Sequence, residues 1–173
     1  MNAPLQWFQR MRQDMPSASH WAYFDHAAVC PLSAPAATAF REWTDSLADH
    51  GATDWNVWRD RIESLRNSTA QLLNAQSEEI AIVRNTTEGI CLVAEGFPWQ
   101  AGDNVVVPGS EFPSNLYAWQ NLSHRGVEVR VVDTDLDHVC LDSLASACDD
   151  RTRIVAVSWV GYRTGFRLDL AAA

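Results

Sequence analysis

The 173-residue sequence predicts an α/β fold in which a mainly parallel sheet is flanked by helices and preceded by a helical N-terminal arm. Two observations predict it. From about residue 76, short runs of apolar and β-branched residues alternate with segments of helical periodicity, which is typical of parallel strands covered by helices on both faces. Before that point, apolar residues recur only at helical spacing. The sequence therefore divides into an N-terminal arm, residues 1–75, and an α/β segment, residues 76–173.

Two helices are predicted in the N-terminal arm. The first follows Ser33, a common N-cap residue, and ends at about Asp49, before Gly51. The second follows Asp54, another common N-cap residue, and extends to about Leu73. Both helices carry an apolar stripe that is expected to pack against a larger body. The stripes comprise Ala37, Phe40, Thr44 and Leu47 in the first helix, and Trp58, Ile62, Leu65, Thr69 and Leu72 in the second.

Four strands and three helices are predicted to alternate along the α/β segment. In chain order, they are a strand at 80–83, a helix at 87–95, a strand at 105–107, a helix at 114–123, a strand at 127–132, a helix at 141–148 and a strand at 154–157. Strands that alternate with helices form a parallel sheet through right-handed crossovers. Ligands of such open sheets bind at the carboxyl ends of the strands, so the loops at those ends are the candidate site.

Charge and composition exclude several classes of partner. The net charge is −9, with 22 acidic residues against 13 basic ones, and this balance disfavours nucleic acid and anionic membranes. No apolar run has the length of a membrane span, and the first 14 residues are too polar for a signal peptide. We therefore expect a cytoplasmic protein. Its cysteines and histidines show no metal-ligand spacing, which predicts no metal site and favours buried, reduced thiols at Cys30, Cys91, Cys140 and Cys148.

The loop before the 87–95 helix has two interpretations. Asn85 is a typical N-cap, and Glu88 occupies the partner position of a capping box, so the segment is explained by a helix start alone. It is equally explained by an anion site, because the first N–H groups of a helix and the hydroxyls of Thr86 and Thr87 can converge on one ligand. In that interpretation, Gly89 allows close packing of the helix.

Two further loops follow predicted strands. Phe112 lies among polar residues in the segment 109–115, where an aromatic side chain is either part of the core or a platform for a ligand ring. The segment 158–167 contains Tyr162 between two glycines, and this pattern is typical of either a wall facing a ligand or a tight surface turn.

Together, these segments resemble the class V aminotransferase family, the fold type I pyridoxal phosphate enzymes that include cysteine desulfurases, selenocysteine lyases and isopenicillin-N-epimerase-like proteins. The resemblance extends from about Tyr23 to Leu170 and preserves the order and spacing of the family's motifs. Its motifs are the opening segment Tyr23-Phe24-Asp25-His26-Ala27-Ala28, the phosphate loop Asn85-Thr86-Thr87-Glu88-Gly89-Ile90, the stacking loop Glu111-Phe112-Pro113-Ser114-Asn115, and the following strand and loop from Ser158 to Leu170.

The resemblance implies part of the large domain of a fold type I enzyme, with pyridoxal 5′-phosphate as cofactor. It implies Thr86 and Thr87 on the cofactor phosphate and Phe112 over the pyridine ring. Tyr162 is a weaker assignment, since desulfurases use an Asn near this point to contact the cofactor hydroxyl. Desulfurases usually have His at the position of Phe112, and a Phe cannot exchange a proton. This difference favours other branches of the family.

All 13 basic residues are arginine, so the sequence contains no lysine to which the cofactor can be bonded. In the family, the Schiff-base Lys, the Asp that pairs with the pyridine nitrogen, the substrate-binding Arg and the small C-terminal domain all lie further along the chain. The resemblance therefore implies an N-terminal portion of about two-fifths, without catalytic residues of its own, from a homodimeric enzyme acting on amino acids. The alternatives are a non-catalytic remnant and a phosphate-binding α/β module, although no glycine-rich nucleotide loop is present.

Overall fold

The structure is a computed structural model that describes residues 3–27, 29–135 and 138–171. The chain divides into two compact units, Met1–Ala81 and Ile82–Ala173. The domains predicted at 1–75 and 76–173 stay predictions, because compactness alone does not establish an independently folding domain. No helix of the described residues is long and apolar enough to cross a membrane.

The described residues of the first unit form three α-helices: α1 (Ala3–Gln13), α2 (Ala34–His50) and α3 (Trp55–Leu73). The sequence predicted α2 and α3 but not α1. Ser33 caps α2 as predicted, since its hydroxyl accepts a hydrogen bond from the Ala36 N–H at 3.3 Å. Gly51 ends α2 with a φ of 57°, a left-handed conformation that glycine adopts without steric cost.

Asp54 precedes α3 as predicted, but its side chain does not cap that helix. The carboxylate accepts hydrogen bonds from Nδ1 of His50 at 2.7 Å and from the Ser46 hydroxyl at 2.8 Å, both on α2. These bonds lower the pKa of Asp54, and the bond from His50 is the larger cause. Asp54 therefore ties the end of α2 to the start of α3.

The apolar stripes of α2 and α3 remain largely exposed. Phe40 is 61% exposed on α2, and Leu65 is 54% exposed on α3. Among the described residues of the first unit, Ala70 is the only buried apolar side chain. The packing predicted for these stripes is therefore not provided within the first unit.

The second unit alternates helices and strands, as predicted. Its elements are α4 (Thr86–Gly96), β1 (Asn104–Pro108), α5 (Ser114–Gln120), β2 (Glu128–Val132), α6 (Leu141–Ala147) and β3 (Thr152–Val155). A 3₁₀ turn, Asn121–Arg125, continues α5 as far as Gly126, whose φ is 74°. The strands form a parallel sheet in the order β2-β1-β3. Val105 at the centre pairs with Val129 on one side and Ile154 on the other.

The strand predicted at 80–83 is not formed. The run has the composition of a strand, but none of the described strands pairs with it. The Arg66 guanidinium on α3 donates instead to the backbone carbonyl of Ile80, and Ile82 is 44% exposed. Because a strand exists only through pairing, an apolar run without a partner stays irregular. The described sheet therefore has three strands rather than four.

The core of the second unit surrounds the central strand. All five residues of β1 are buried, as predicted for a parallel strand covered on both faces. Trp119 of α5 is 3% exposed, and its indole Nε1–H donates to the side-chain oxygen of Asn115 at 3.1 Å. The buried cluster comprises Ala94, Val105, Val107, Trp119, Leu122, Val127 and Ala156. This core gives β1 a fixed position between its two neighbours.

A polar network built on two buried side chains holds the amino ends of β1 and β3 together. The Asn104 side chain is fully buried, donates to the Asp149 carboxylate at 2.9 Å and accepts from the Thr152 hydroxyl at 2.8 Å. The neighbouring Asp103 is also buried and accepts from the Arg153 guanidinium at 3.0 Å. Buried polar groups require such partners. This network lies at the edge opposite the candidate site and has a structural role.

The network makes the stability of the fold depend on pH. The hydrogen bond from Asn104, followed by that from Arg130, lowers the pKa of Asp149 to about 2. An aspartate in an unfolded chain has a pKa of about 3.9. Because the folded-state pKa is the lower one, the stabilisation is present above the unfolded value and is lost as pH falls toward 2.

We expect the wild-type chain to exceed Asp149→Asn in free energy of unfolding at pH 5, and the difference to shrink as pH falls from 4 to 2. Urea unfolding of both proteins at each pH measures it. A difference that is the same at pH 5 and pH 2 would contradict the role assigned to the Asp149 carboxylate.

Candidate active site

Three segments meet at the carboxyl edge of the sheet: the turn before α4, the loop after β1 and the loop after β3. The turn reaches this edge through Thr87, whose hydroxyl lies 2.8 Å from the hydroxyl of Ser114 at the start of α5. The other two loops follow the adjacent strands β1 and β3 directly. The structure thus brings together the loops that the sequence singled out.

The turn before α4 is organised by Asn85 and Glu88. Asn85 caps the helix as predicted, since its Oδ1 accepts from the Glu88 N–H at 2.9 Å. The Glu88 carboxylate, however, accepts from the backbone N–H of Arg84 at 2.6 Å rather than from that of Asn85. Its bonds with the Arg84 side chain, and then with the Arg84 backbone, lower the pKa of Glu88. The predicted capping box is therefore displaced by one residue.

Thr86 and Thr87 form the first turn of α4 and are both exposed. The first N–H groups of an α-helix have no carbonyl partner within the helix and point out of its end, where the helix dipole is positive. The N–H of Glu88 donates to the Asn85 side chain. The N–H groups of Thr86 and Thr87, together with their hydroxyls, therefore lie at the helix end. This arrangement suits an anion such as a phosphate.

Gly89 does not have the packing role that the sequence suggested. A Cβ atom placed on Gly89 would lie 3.5 Å from Cγ2 of Val83, which is an ordinary van der Waals separation. The position therefore has room for the Cβ atom of an alanine, so the packing of this helix among the described residues does not require glycine.

Phe112 and Tyr162 contact each other at this edge. Their ring centroids are 5.1 Å apart and their planes are nearly perpendicular at 88°, an edge-to-face arrangement that aromatic rings favour. Phe112 is 49% exposed and Tyr162 is 50% exposed, so neither ring belongs to the core. Of the two interpretations of Phe112, burial in the core is wrong. About half of the surface of each residue is therefore open to solvent.

The loop after β3 folds back as a tight turn. Val160 and Arg167 form an antiparallel bridge, and the Gly161 N–H donates to the Phe166 carbonyl at 2.8 Å. Gly165 has a φ of 74°, which accounts for glycine at that position. The tight-turn interpretation of this segment is therefore correct, and the same turn carries Tyr162 to Phe112.

Glu111 and Ser158 join two of these loops, although the sequence did not single them out as a pair. The Glu111 carboxylate accepts from the Ser158 hydroxyl at 2.7 Å and from the Ser158 backbone N–H. The residues are 47 positions apart in the chain, and they meet because β1 and β3 are neighbours. An acidic residue directly before the predicted stacking residue was the only signal in the sequence.

The cysteines are not buried, contrary to expectation. Cys30 and Cys140 are exposed, Cys91 and Cys148 are partly buried, and all four are free thiols. A hydrogen bond from the Ser143 side chain lowers the pKa of Cys140. Within the described residues, no group of His, Cys, Asp and Glu side chains has the arrangement of a metal site.

The fold and this edge define an α/β protein in which the exposed start of a helix and a pair of half-exposed aromatic rings lie at the carboxyl edge of a parallel sheet. Comparison with known proteins supplies the family: the class V aminotransferase model matches residues 22–172, and the chain belongs to that family. The resemblance found in the sequence is confirmed, and with it pyridoxal phosphate as the family's cofactor. Of the residues that carried the resemblance, Ala28 lies outside the described part of the chain.

Among the relatives are a probable cysteine desulfurase of Methanothermobacter thermautotrophicus and a cysteine desulfurase of Cronobacter sakazakii. The first is 34% identical over 90% of this chain and 40% of its own length. The second is 37% identical over 88% of this chain and 41% of its own length. The chain thus spans about two-fifths of the length of these relatives.

Solved structures share the fold. The cysteine desulfurase CsdA of Escherichia coli has a TM-score of 0.79 at 26% identity, over 99% of this chain and 45% of CsdA. The cystine C-S lyase C-DES, in complex with cysteine persulfide, has a TM-score of 0.81 at 25% identity, over 91% of this chain and 43% of the lyase. These similarities confirm the α/β fold class predicted from the sequence.

Proposed function

We propose that this chain carries the phosphate-binding and ring-binding part of a pyridoxal phosphate site in an enzyme that acts on amino acids. The observation that carries the proposal is the contact between the hydroxyls of Thr87 and Ser114. It places the start of α4 beside the segment that carries Phe112, two residues before Ser114. An anion site and an aromatic platform are then neighbours, as a phosphorylated pyridine ring requires.

The residues present fit both ends of this cofactor. A phosphate dianion would accept from the N–H groups and hydroxyls of Thr86 and Thr87, and the positive end of the α4 dipole favours its charge. The half-exposed ring of Phe112 offers a face for stacking. Tyr162 has a hydroxyl that can donate to a ring oxygen, and it keeps the weaker assignment made from the sequence.

Within this arrangement, the chain's own residues bind and orient the cofactor. The bound cofactor supplies an electron sink for bond cleavage at the α-carbon of an amino acid. Phe112 stacks but carries no exchangeable proton, so proton transfer must come from another residue. These residues therefore account for the cofactor's position and not for the choice of reaction.

A second candidate function is the binding of a phosphorylated ligand without reaction, since none of these 173 residues is a lysine. An arginine guanidinium stays protonated and cannot form the covalent bond that this cofactor normally makes with a lysine amine. Held only by hydrogen bonds and stacking, the ligand would be exchangeable. The alternative is a non-catalytic remnant or a module that binds a phosphorylated ligand without reaction.

Three further predictions concern the complete enzyme: the first two rest on the family, and the location rests on the sequence. We expect amino-acid substrates and a homodimer for the complete enzyme, in a cytoplasmic location. None follows from the described site, and each stays a prediction.

The binding proposal is tested with pyridoxine 5′-phosphate, whose alcohol cannot bond to the N-terminal amine as an aldehyde would. By calorimetry, we expect it to bind at least about a hundredfold more tightly than pyridoxine, which lacks the phosphate. Equal affinities would contradict the anion site. If ribose 5-phosphate, which has no pyridine ring, binds as tightly, the site recognises phosphate alone and the second candidate function is favoured.

A further inference from the structure

Glu111 connects the two loops that carry the aromatic pair. The carboxylate accepts from both the hydroxyl and the backbone N–H of Ser158, with the hydroxyl at 2.7 Å. Bonds to an ionised acceptor are stronger than those between neutral groups, and two of them fix orientation as well as distance. The side chain of Glu111 is therefore a two-point clamp on the loop after β3.

The backbone of Glu111 is fixed to the sheet. Its N–H donates to the carbonyl of Pro108, the last residue of β1, at 3.2 Å. Gly109, in the same loop, donates to the carbonyl of Val132 in β2 at 2.7 Å. The Glu111 side chain therefore links Ser158 to a backbone segment that is held by the sheet.

The clamp lies next to the aromatic pair in both loops. Glu111 directly precedes Phe112, and Ser158 lies four residues before Tyr162. Because both rings are about half exposed, their mutual contact is not enforced by surrounding core packing. The pairing of β1 with β3 brings the two loops near each other, and the Glu111–Ser158 bonds add a direct link between them beside the rings.

We propose that Glu111 is a positioning residue that sets the edge-to-face geometry of Phe112 and Tyr162, and thereby the ring-binding surface of the site. This inference rests on the proposed function for its second half, since only a bound pyridine ring makes that surface functional. The first half concerns the free chain and stands independently. Glu111 itself is not assigned any contact with the cofactor.

Substitutions at Glu111 separate the effect of its two hydrogen bonds with Ser158 from the effect of its negative charge. Glu111→Ala removes both acceptors. Glu111→Gln keeps a two-point contact, because its amide oxygen can accept from the Ser158 N–H while its NH₂ group donates to the Ser158 hydroxyl oxygen. Glu128→Ala is the matched control: Glu128 begins β2 at the opposite edge of the sheet and pairs with Arg130 at 3.0 Å.

The experiment uses the whole chain labelled with 3-fluorotyrosine, which gives three ¹⁹F signals, one for each tyrosine. Tyr162→Phe assigns the Tyr162 signal, and Phe112→Leu shows how far it moves when the neighbouring ring is absent. We expect Glu111→Ala to shift the Tyr162 signal by at least half of the change that Phe112→Leu causes. Glu111→Gln and Glu128→Ala should leave the signal in place. Affinity for pyridoxine 5′-phosphate is then expected to fall on the order of three- to tenfold in Glu111→Ala only.

An unmoved Tyr162 signal in a Glu111→Ala chain that melts cooperatively would overturn the proposal, as would a Gln variant that behaves like the Ala variant. If Glu111→Ala does not fold, Ser158→Ala replaces it; that variant keeps the backbone bond, and it should move the signal part of the way. A wild-type chain that binds no ligand contradicts the proposed function, whereas the fluorine signal still decides whether Glu111 positions the pair.

Discussion

Replacing both Thr86 and Thr87 with valine is expected to remove most of the affinity for pyridoxine 5′-phosphate. Each hydroxyl that donates to a phosphate oxygen should contribute about 1.5 to 3 kcal/mol to binding. The double variant therefore loses roughly two orders of magnitude or more in affinity. Valine matches threonine in shape and branching, so the helix and its free N–H groups remain.

The control for this prediction is Thr44→Val. Thr44 lies on α2, and its hydroxyl donates to the Phe40 carbonyl of the same helix at 2.8 Å. Its replacement should leave the affinity unchanged. Calorimetric titration of the wild type, the double variant and the control compares the three. If the double variant binds as tightly as the wild type, the start of α4 is a helix start and nothing more.

Trp119→Ala is expected to destabilise the second unit by about 3 to 5 kcal/mol, the usual cost of truncating a large buried aromatic side chain. Trp119 is 3% exposed and packs in the cluster around β1. The substitution removes that contact area, leaves a cavity, and deprives the Asn115 side chain of its indole donor. A loss of this size is a large fraction of the stability of an ordinary domain.

The matched control is Trp159→Ala, because Trp159 lies in the same unit and is 58% exposed. A surface substitution of this kind changes stability by about 0.5 kcal/mol or less. Urea unfolding followed by far-ultraviolet circular dichroism measures both variants without relying on tryptophan fluorescence. Equal losses in the two variants would mean that Trp119 is not part of the core.

Local signals in the sequence were sufficient for most of the fold. Ser33 and Gly51 bound α2 because N-cap hydroxyls and left-handed glycines act on their immediate neighbours. The three β-branched runs became strands because each found a parallel neighbour. The run at 80–83 has the same composition and no such neighbour, and composition does not reveal pairing. α1 was missed even though Asn2, a common N-cap residue, directly precedes it in the sequence.

The sequence predicted the residues of the candidate site but not the contacts among them. Thr86, Thr87, Phe112 and Tyr162 were named from motif order. For Phe112 and Tyr162, placement at one sheet edge follows from the parallel strands β1 and β3, whereas Thr87 reaches that edge through its contact with Ser114. The contacts among them were not predictable, since they depend on the strand order. The hydrogen bond from Ser158 to Glu111 exists because β3 lies beside β1. Likewise, the carboxylate of Asp54 accepts hydrogen bonds from α2 and does not cap α3. Cofactor contacts of the four named residues remain predictions.

We propose that the start of α4 holds the phosphate of the cofactor. The most direct measurement is a titration of the ¹⁵N-labelled chain with pyridoxine 5′-phosphate, followed through the backbone amide signals. We expect the amide signals of Thr86 and Thr87 to shift most and to saturate together, because their N–H groups would donate to the phosphate. Pyridoxine without the phosphate should leave both signals in place. If the largest shifts arise elsewhere, or if pyridoxine produces the same shifts, the phosphate is not bound at this helix end.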